Sequence, residues 1–550
     1  MSWNTLQQNR DARLQRARAE LGAELDGKSL PAARIADLLH AVIERGDRVC
    51  LEGNNQKQAD FLGHALANLD PARVNDLHML QSVLALPEHL DVFERGVASR
   101  LDFSFSGPQA ARVARLASAG KLNIGAIHTY LELFSRYFID LPPRVCLIAA
   151  EAADRHGNLY TGPNTEDTPA IVEATAFKQG IVIVQVNKLV DKVPRVDVPG
   201  DWVDFVVQSP RPYYIEPLFT RDPAQISEIQ VLMAMMAIKG IYAEYEVQRL
   251  NHGIGFDTAA IELLLPTYAE SLGLRGKIGK HWALNPHPAL IPAIEAGFVT
   301  SIHSFGSELG MEDYIHARPD VFAIGPDGSM RSNRAMCQAA GHYACDMFIG
   351  STLQIDLQGN SSTATAGRIS GFGGASNMGA DARGRRHASP AWLKAGEQAR
   401  AGRNTIPRGQ KLVVQIVETF REHMQPAFVE KLDAWELMEQ AKMAIPPVMI
   451  YGDDVTHILT EEGIANLLLC RTDEEREQAI RGVAGYTPVG LARDQRAVEN
   501  LRDRGIITRA EDLGIDKRLA TRDLLAARNM KDLVRASGGL YNPPKRFRNW

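Results

Sequence analysis

Asp154-Arg155-His156-Gly157-Asn158 returns later in the chain as Asp356-Leu357-Gln358-Gly359-Asn360, and the same offset carries the turn Gly53-Asn54-Asn55 onto Gly255-Phe256-Asp257. Two copies of one fold are the economical reading. Each Asp-x-x-Gly-Asn follows an apolar run of strand type, residues 145–150 and 347–353, so each phrase reads as a strand ending in a tight turn. Two similar α/β halves sharing a cleft follow.

Working outward, residues 48–51 read as a strand feeding the turn at Gly53, and 57–69 have helical periodicity. Residues 168–179 read as a helix and 181–186 as a β-branched strand, so strands alternate with helices as in a parallel sheet covered on both faces. A mostly helical stretch, about 216–246, separates the halves. A second strand-turn-helix series opens at Gly253-Ile254-Gly255 with a helix over 258–265 behind it. The domains are therefore expected as 1–245, a helical extension plus the first half, and 246–550, the second half with a helical C-terminus. Residues 376–405 read as an inserted Gly/Ala/Arg-rich loop, 455–460 as the last strand, 473–537 as helices, and 543–550 as a basic tail without periodicity.

Size agrees with this division, since 550 residues exceed what one hydrophobic core usually supports. The formal net charge is −5 with both signs interspersed, which argues against a nucleic-acid surface, because phosphate neutralisation needs a concentrated basic stripe. The Arg-rich N-terminus (Arg10, Arg13, Arg16, Arg18) lacks the apolar core of a secretory signal and reads as an exposed helix. The longest strongly apolar run, 231–238, falls far short of the ~20 residues that cross a bilayer. A soluble, cytoplasmic protein is expected. The 5 cysteines form no C-x-x-C pair and several sit in apolar strand-like surroundings, which suits buried reduced thiols. His281 and His287 bracket a Pro-rich turn rather than one helical face, so no metal site is expected.

Gly253-Ile254-Gly255, between a strand and a helix, has the form of an anion cradle, since N–H groups at a helix start favour negative charge and glycine admits a close ligand. Gly371-Phe372-Gly373-Gly374-Ala375-Ser376-Asn377-Met378-Gly379 is the most glycine-dense segment; Phe372 and Asn377 are not linker residues, so it reads as a shaped, ligand-facing loop. Arg383, Arg385, Arg386 and His387 follow, able to hold phosphates by charge-assisted hydrogen bonds, an ordinary solvated basic loop being the other reading. Gly273-Leu274-Arg275-Gly276-Lys277 fails the spacing of a triphosphate loop, and Ile302-His303-Ser304-Phe305-Gly306 lacks the first glycine of a serine-hydrolase elbow.

On these segments the chain resembles the coenzyme A transferase superfamily, in which a strand is followed by acidic-x-x-Gly-Asn in both halves and the second by a loop like Ser370-Gly371-Phe372-Gly373-Gly374-Ala375. Residues 455–465 are similar to the family's late V-x-T-E-x-G-I-A segment, and Pro199-Gly200-Asp201-Trp202-Val203-Asp204 to its first-half P-G-x-x-V-D. Within the superfamily the Arg-rich start, Glu52-Gly53-Asn54-Asn55-Gln56-Lys57 and His281-Trp282-Ala283-Leu284-Asn285-Pro286 look most like malonate decarboxylase alpha subunits.

That resemblance implies an enzyme, a transferase that exchanges acetate for malonate on an acyl carrier protein whose arm is phosphoribosyl-dephospho-coenzyme A, with no permanently bound cofactor and with decarboxylase beta and gamma subunits as partners. Glutamate-using transferases carry a carboxylate nucleophile after the second glycine turn; the matching stretch, 280–287, has none, and Glu308 qualifies only if the intervening segment is an insertion. Direct exchange through a mixed anhydride is then the expected chemistry. It needs proximity and N–H donors for the oxyanion. The expected catalytic groups are the amides of Gly253, Ile254, Gly255, Gly373 and Gly374 with Asn285 as a side-chain donor. The substrate contacts are sought among Asn54, Asn55, Phe372, Asn377 and Arg383, with Lys280 a further cation. A glutamate-dependent coenzyme A transferase or hydrolase, and a non-catalytic carrier scaffold, are the alternatives.

Overall fold

The computed structural model describes residues 2–550 except 55–56, 163–164, 327–329, 331–332, 386–387, 405–407 and 549. Nine strands form a first sheet: β1 (Ser29–Leu30), β2 (Arg48–Leu51), β3 (Leu77–Val83), β4 (Ala98–Phe105), β5 (Asn123–Ile127), β6 (Val145–Asp154), β7 (Leu159–Tyr160), β8 (Ile181–Val190) and β9 (Phe205–Gln208). Their order is β1-β9-β8-β6-β2-β3-β4-β5, all parallel, with β7 antiparallel beside β6. β6 is buried along nearly all of its length, as expected of a central parallel strand covered on both faces.

A second sheet holds β10 (Arg249–His252), β11 (His281–Leu284), β12 (Ser301–Ser304), β13 (Met347–Ser351), β14 (Leu412–Ile416), β15 (His457–Thr460), β16 (Gly463–Asn466) and β17 (Ile507–Thr508), in the order β12-β11-β10-β13-β14-β15-β16-β17. The first six strands are parallel and the last two antiparallel. The run β4-β3-β2-β6-β8-β9 of the first sheet thus repeats as β12-β11-β10-β13-β14-β15. The duplication read from the sequence is a duplication of topology.

The repeated turns are duplicated down to their hydrogen bonds. Asp154 Oδ1 accepts from the amides of His156 and Asn158, and Asp356 Oδ1 from those of Gln358 and Asn360. In both, the second carboxylate oxygen takes the asparagine Nδ2 at 3.0 Å. Gly157 (φ 80°) and Gly359 (φ 82°) occupy the left-handed position that glycine alone adopts without strain.

The N-terminal helix Trp3–Leu21 is capped by Ser2, whose side chain accepts from the Thr5 amide. It is not exposed all round: Arg13, Leu14, Ala17 and Leu21 are buried, and Arg13 pairs with buried Asp47 at 2.5 Å. The segment 376–405 is likewise not all loop, because Pro390–Gly402 is a helix, with Ser389 accepting from the Trp392 amide and proline at the first helical position. The basic C-terminal tail packs back on the body, where Asn542 donates to Gly310 O at 2.8 Å and Arg546 pairs with Glu216 at 2.7 Å.

Candidate functional site

The glycine-dense loop of the second half docks on the end of β4 in the first. The amides of Phe372 and Gly373 both donate to Ser104 O, and the Ser106 amide donates to Ser370 O. Gly371 (φ +73°) makes this approach possible, since a Cβ there would sit 2.4 Å from Ser104 O. Docking closes a cavity of about 130 Å³. One wall is Phe105 and Tyr130 from the first half; Leu218 and Phe219 of the connecting segment form another; β10 with its glycine turn, Asn285, His287 and the loop 372–375 complete it. It shares Phe105, Leu218, Gly253, Ile254, Phe348 and Phe372 with an outer funnel of about 780 Å³ that also holds Gly255, Arg221, Arg368 and Arg546.

Which backbone donors around this space remain unpaired is decided by tertiary pairing. The Gly253 amide donates to Ile349 O at 2.8 Å and that of Gly373 to Ser104 O at 2.9 Å, so neither is available to a ligand. The amides of Ile254, Gly255 and Gly374 have no acceptor among the described residues. Ile254 and Gly255 precede the helix Phe256–Leu264, with Gly255 at its N-cap, where donors are unsatisfied and the helix dipole favours negative charge. Asn285 uses one of its two Nδ2 hydrogens on Ser307 O at 3.3 Å.

Among the described residues no carboxylate lines the inner cavity; its charged or titratable members are Arg334, Tyr130, His252 and His287. Arg334 is 2% exposed, pairs with Glu166 and, at 3.1 Å, with Asp167, and stands 4.6 Å over the Tyr130 ring. Burial, helped by the nearby charge of Glu52, pushes the Asp167 carboxyl up to about 7, against the hydrogen bond from Ser82 and the charge of Lys57. Behind the lining residues His252 and His287, Glu262 Oε1 accepts from His252 Nδ1 at 2.9 Å and His287 Nδ1 at 2.8 Å. Burial alone would raise the Glu262 carboxyl, but these two imidazoles hold it down to about 2. Burial lowers the His252 imidazole.

Of the residues expected from sequence, Gly253, Ile254, Asn285, Phe372, Gly373 and Gly374 meet in the inner cavity, and Gly255 lies in the funnel. Asn377 stands behind the wall, donating to Gln338, which does line it. Asn54 is fully buried inside the Gly53 turn, where its Oδ1 accepts from the Lys57 amide at 2.7 Å; the turn packs on Val83 and His89 and does not line the cavity. Asn55 lies outside the described residues, as do Arg386 and His387. Arg383 lines a separate cavity with Arg403, Arg408 and Arg476. Lys280 does not line the site.

Glu308 is fully buried and does not line the cavity. Its Oε1 accepts from the Phe219 amide (3.2 Å), the Thr220 amide (3.0 Å) and the Thr220 hydroxyl (2.8 Å), which fixes the segment that presents Phe219. Burial pushes its carboxyl up to about 8. Sequence reasoning did not find Glu262, His287, Tyr130 or Arg334. Their common signal, a charged or titratable side chain inside an apolar run, is visible only for Glu262 in Ala260-Ile261-Glu262-Leu263-Leu264.

A family model described as malonate decarboxylase, alpha subunit, transporter, matches residues 2–550. The chain is 65% identical over 528 residues to the acetyl-S-ACP:malonate ACP transferase of Malonomonas rubra, covering 96% of this chain and 95% of that one. The structure matches that of a Pseudomonas malonate decarboxylase hetero-tetramer in complex with malonate, with a TM-score of 0.94, 58% identity, and coverage of 100% of this chain and 99% of that chain. An acyl-CoA transferase of Escherichia coli O157:H7, at 15% identity and a TM-score of 0.52 over 80% of this chain and 88% of that one, shares the fold alone.

Proposed function

The chain belongs to the malonate decarboxylase alpha-subunit family, and from that membership we propose that it is an acyl-carrier-protein transferase, converting acetyl-S-carrier and malonate to malonyl-S-carrier and acetate. The observation that carries the chemistry is the inner cavity: unengaged N–H donors at Ile254 and Gly374, and no carboxylate among its described lining residues. Such a site favours direct exchange over a glutamyl intermediate.

A malonate oxygen attacks the acetyl carbonyl, the tetrahedral oxyanion accepts hydrogen bonds from these amides, and the C–S bond breaks with its electron pair on sulfur. The thiolate then attacks the malonyl carbonyl of the mixed anhydride, and acetate leaves with the C–O pair. Each donor aimed at the oxyanion is worth roughly 3 kcal/mol. Holding both reactants contributes about 7–11 kcal/mol when well oriented. The cavity of about 130 Å³ offers roughly four times the ~30 Å³ that one water takes in the liquid, the scale of a small dicarboxylate. Phe105, Phe219, Phe348 and Phe372 exclude water from the anhydride.

The outer funnel suits the phosphate-bearing arm of the carrier, through Arg221, Arg368 and Arg546 at its walls. The carrier protein and the decarboxylase subunits are the partners in this reading, which the hetero-tetrameric Pseudomonas relative supports. Among the described residues no helix is long and apolar enough to cross a membrane, consistent with work in the cytoplasm. We divide the chain into residues 1–245 and 246–550, with the cavity between them. The test is transfer of labelled malonate onto acetylated carrier protein by this chain alone; no labelled thioester on a carrier shown to be competent would refute the assignment.

A further inference from the structure

The two imidazoles that share Glu262 end differently. A carboxylate only accepts hydrogen bonds, so His252 and His287 both carry hydrogen on Nδ1. His252 sets its other nitrogen against the Tyr242 hydroxyl at 2.5 Å. The Nε2 of His287 has no partner among the described residues, although the residue is only 6% exposed, lines the inner cavity and stacks on Phe219 with centroids 5.7 Å apart. The ring is thus fixed at one nitrogen by a fully buried carboxylate and unpaired at the other among the described residues, and His287 lines the same cavity as Ile254, whose amide is unengaged.

Resting on the transfer reaction above, we propose that His287 is the catalytic residue that receives the leaving sulfur, with Glu262 as its positioning residue. With both ring nitrogens protonated, Nε2–H donates to the sulfur as the C–S bond breaks and the electron pair settles there, while Glu262 balances the imidazolium charge. If the proton crosses, the site holds a thiol and a neutral imidazole; the same proton returns to Nε2 when the sulfur attacks the malonyl carbonyl. It is borrowed and restored, so the exchange needs no proton from solvent. The sulfur is also kept from escaping as free thiolate while the anhydride exists.

The test uses the full chain, malonate as acceptor, and two acetyl donors, S-acetyl-pantetheine and phenyl thioacetate. Alkyl thiolate is the stronger base and needs the hydrogen bond; thiophenolate leaves without help. His287→Ala is expected to slow transfer from S-acetyl-pantetheine about 100-fold, in the range of acid–base assistance, and transfer from phenyl thioacetate less than tenfold. Glu262→Gln, which keeps the side chain's shape and loses its charge, is expected to show the same selective loss and serves if His287→Ala fails to fold, as judged by its near-ultraviolet circular dichroism. Equal losses on both donors, or no loss on either, overturn the proposal. Wild-type chain that moves no acetyl group from S-acetyl-pantetheine or carrier to malonate refutes the transfer reaction itself, so the two failures are distinguishable.

Discussion

The side-chain oxygen of Asn360 accepts the amide hydrogen of Gly452 at 2.9 Å, and Asn158 does the same for Gly200, also at 2.9 Å. Each pair ties an Asp-x-x-Gly-Asn turn to the segment leading into a later strand of its own sheet, and a Cβ on Gly452 or Gly200 would lie 2.1 or 2.3 Å from the carbonyl oxygen of Gln358 or His156. Each turn braces its own half, and residues 154–158 and 356–360 line neither the inner cavity nor the funnel. Asn360→Ala is expected to cost about 1–3 kcal/mol, since it strips partners from Gly452 and Asp356. Gly452→Ala is expected to cost more. Urea unfolding of both variants, with transfer activity per folded molecule unchanged, is the check.

Gly371 lets the loop 370–374 dock on β4. Gly371→Ala places a methyl against Ser104 O at a φ of +73°, which costs roughly 1–3 kcal/mol and is relieved by undocking the loop. The expected result is at least tenfold slower transfer with little change in the unfolding midpoint. Unchanged transfer by Gly371→Ala would remove the docked loop from the working site.

Glu308 separates direct exchange from a glutamyl intermediate. Glu308→Gln keeps an oxygen for the Phe219 and Thr220 donors, so transfer is expected to stay within about threefold of wild type, whereas Glu308→Ala leaves buried donors unpaired at a cost of about 1–3 kcal/mol. Incubation with acetyl thioester and then borohydride is expected to leave the enzyme active. Borohydride inactivation dependent on thioester, and lost in Glu308→Gln, would establish the covalent route instead.

The first sheet carries a pH-sensitive cluster. Buried Asp102 accepts from His78 at 2.6 Å and His128 at 2.8 Å. Burial opposes charge on His128, but the Asp102 and Glu132 carboxylates outweigh it and raise its pKa. A group raised in the folded state stabilises fully below its ordinary value of about 6.5, and that contribution disappears as pH climbs through the raised value. Unfolding free energy is therefore expected to fall above about pH 6.5, by at most ~1.4 kcal/mol per pH unit from this residue. His128→Gln is expected to flatten that slope in urea titrations between pH 6 and 9; an identical slope in the variant would show that His128 does not titrate there.

Arg334 neutralises Glu166 and Asp167 at the cavity wall. Arg334→Met removes a buried cation that pairs with Glu166 and Asp167 and is expected to cost about 3–5 kcal/mol, more at pH 8 than at pH 6, because burial pushes the Asp167 carboxyl up to about 7 and it carries its charge on the alkaline side. Thermal unfolding at the two pH values is the measurement, and a pH-independent loss would contradict the assignment of the titration to Asp167.

What was legible in the sequence is what local chemistry decides. An Asp-x-x-Gly-Asn turn closes its hydrogen bonds within five residues and needs a glycine at positive φ, so residue types and spacing reveal it, and its repetition revealed the doubled topology. The helix Pro390–Gly402 escaped notice although Ser389 and Pro390 announce it, because the surrounding glycine and arginine content reads as loop. Glycines at 253 and 373 were visible as places where backbone is exposed. Which of their neighbours keeps a free N–H was not, since Ile349 and Ser104, far off in sequence, claim the amides of Gly253 and Gly373.

The chain's own order of residues therefore determined two α/β halves built on mainly parallel sheets, their turns and the glycine segments that line a cleft. Only tertiary structure decided the chemistry inside it: that Glu262 meets His287 and His252, that Arg334 meets Glu166 and Asp167, and that Glu308 turns away to hold Phe219. The physical reason is range. Turns and strands arise from contacts among near neighbours, whereas the charge, burial and free lone pairs of a side chain are set by whichever distant segment packs against it.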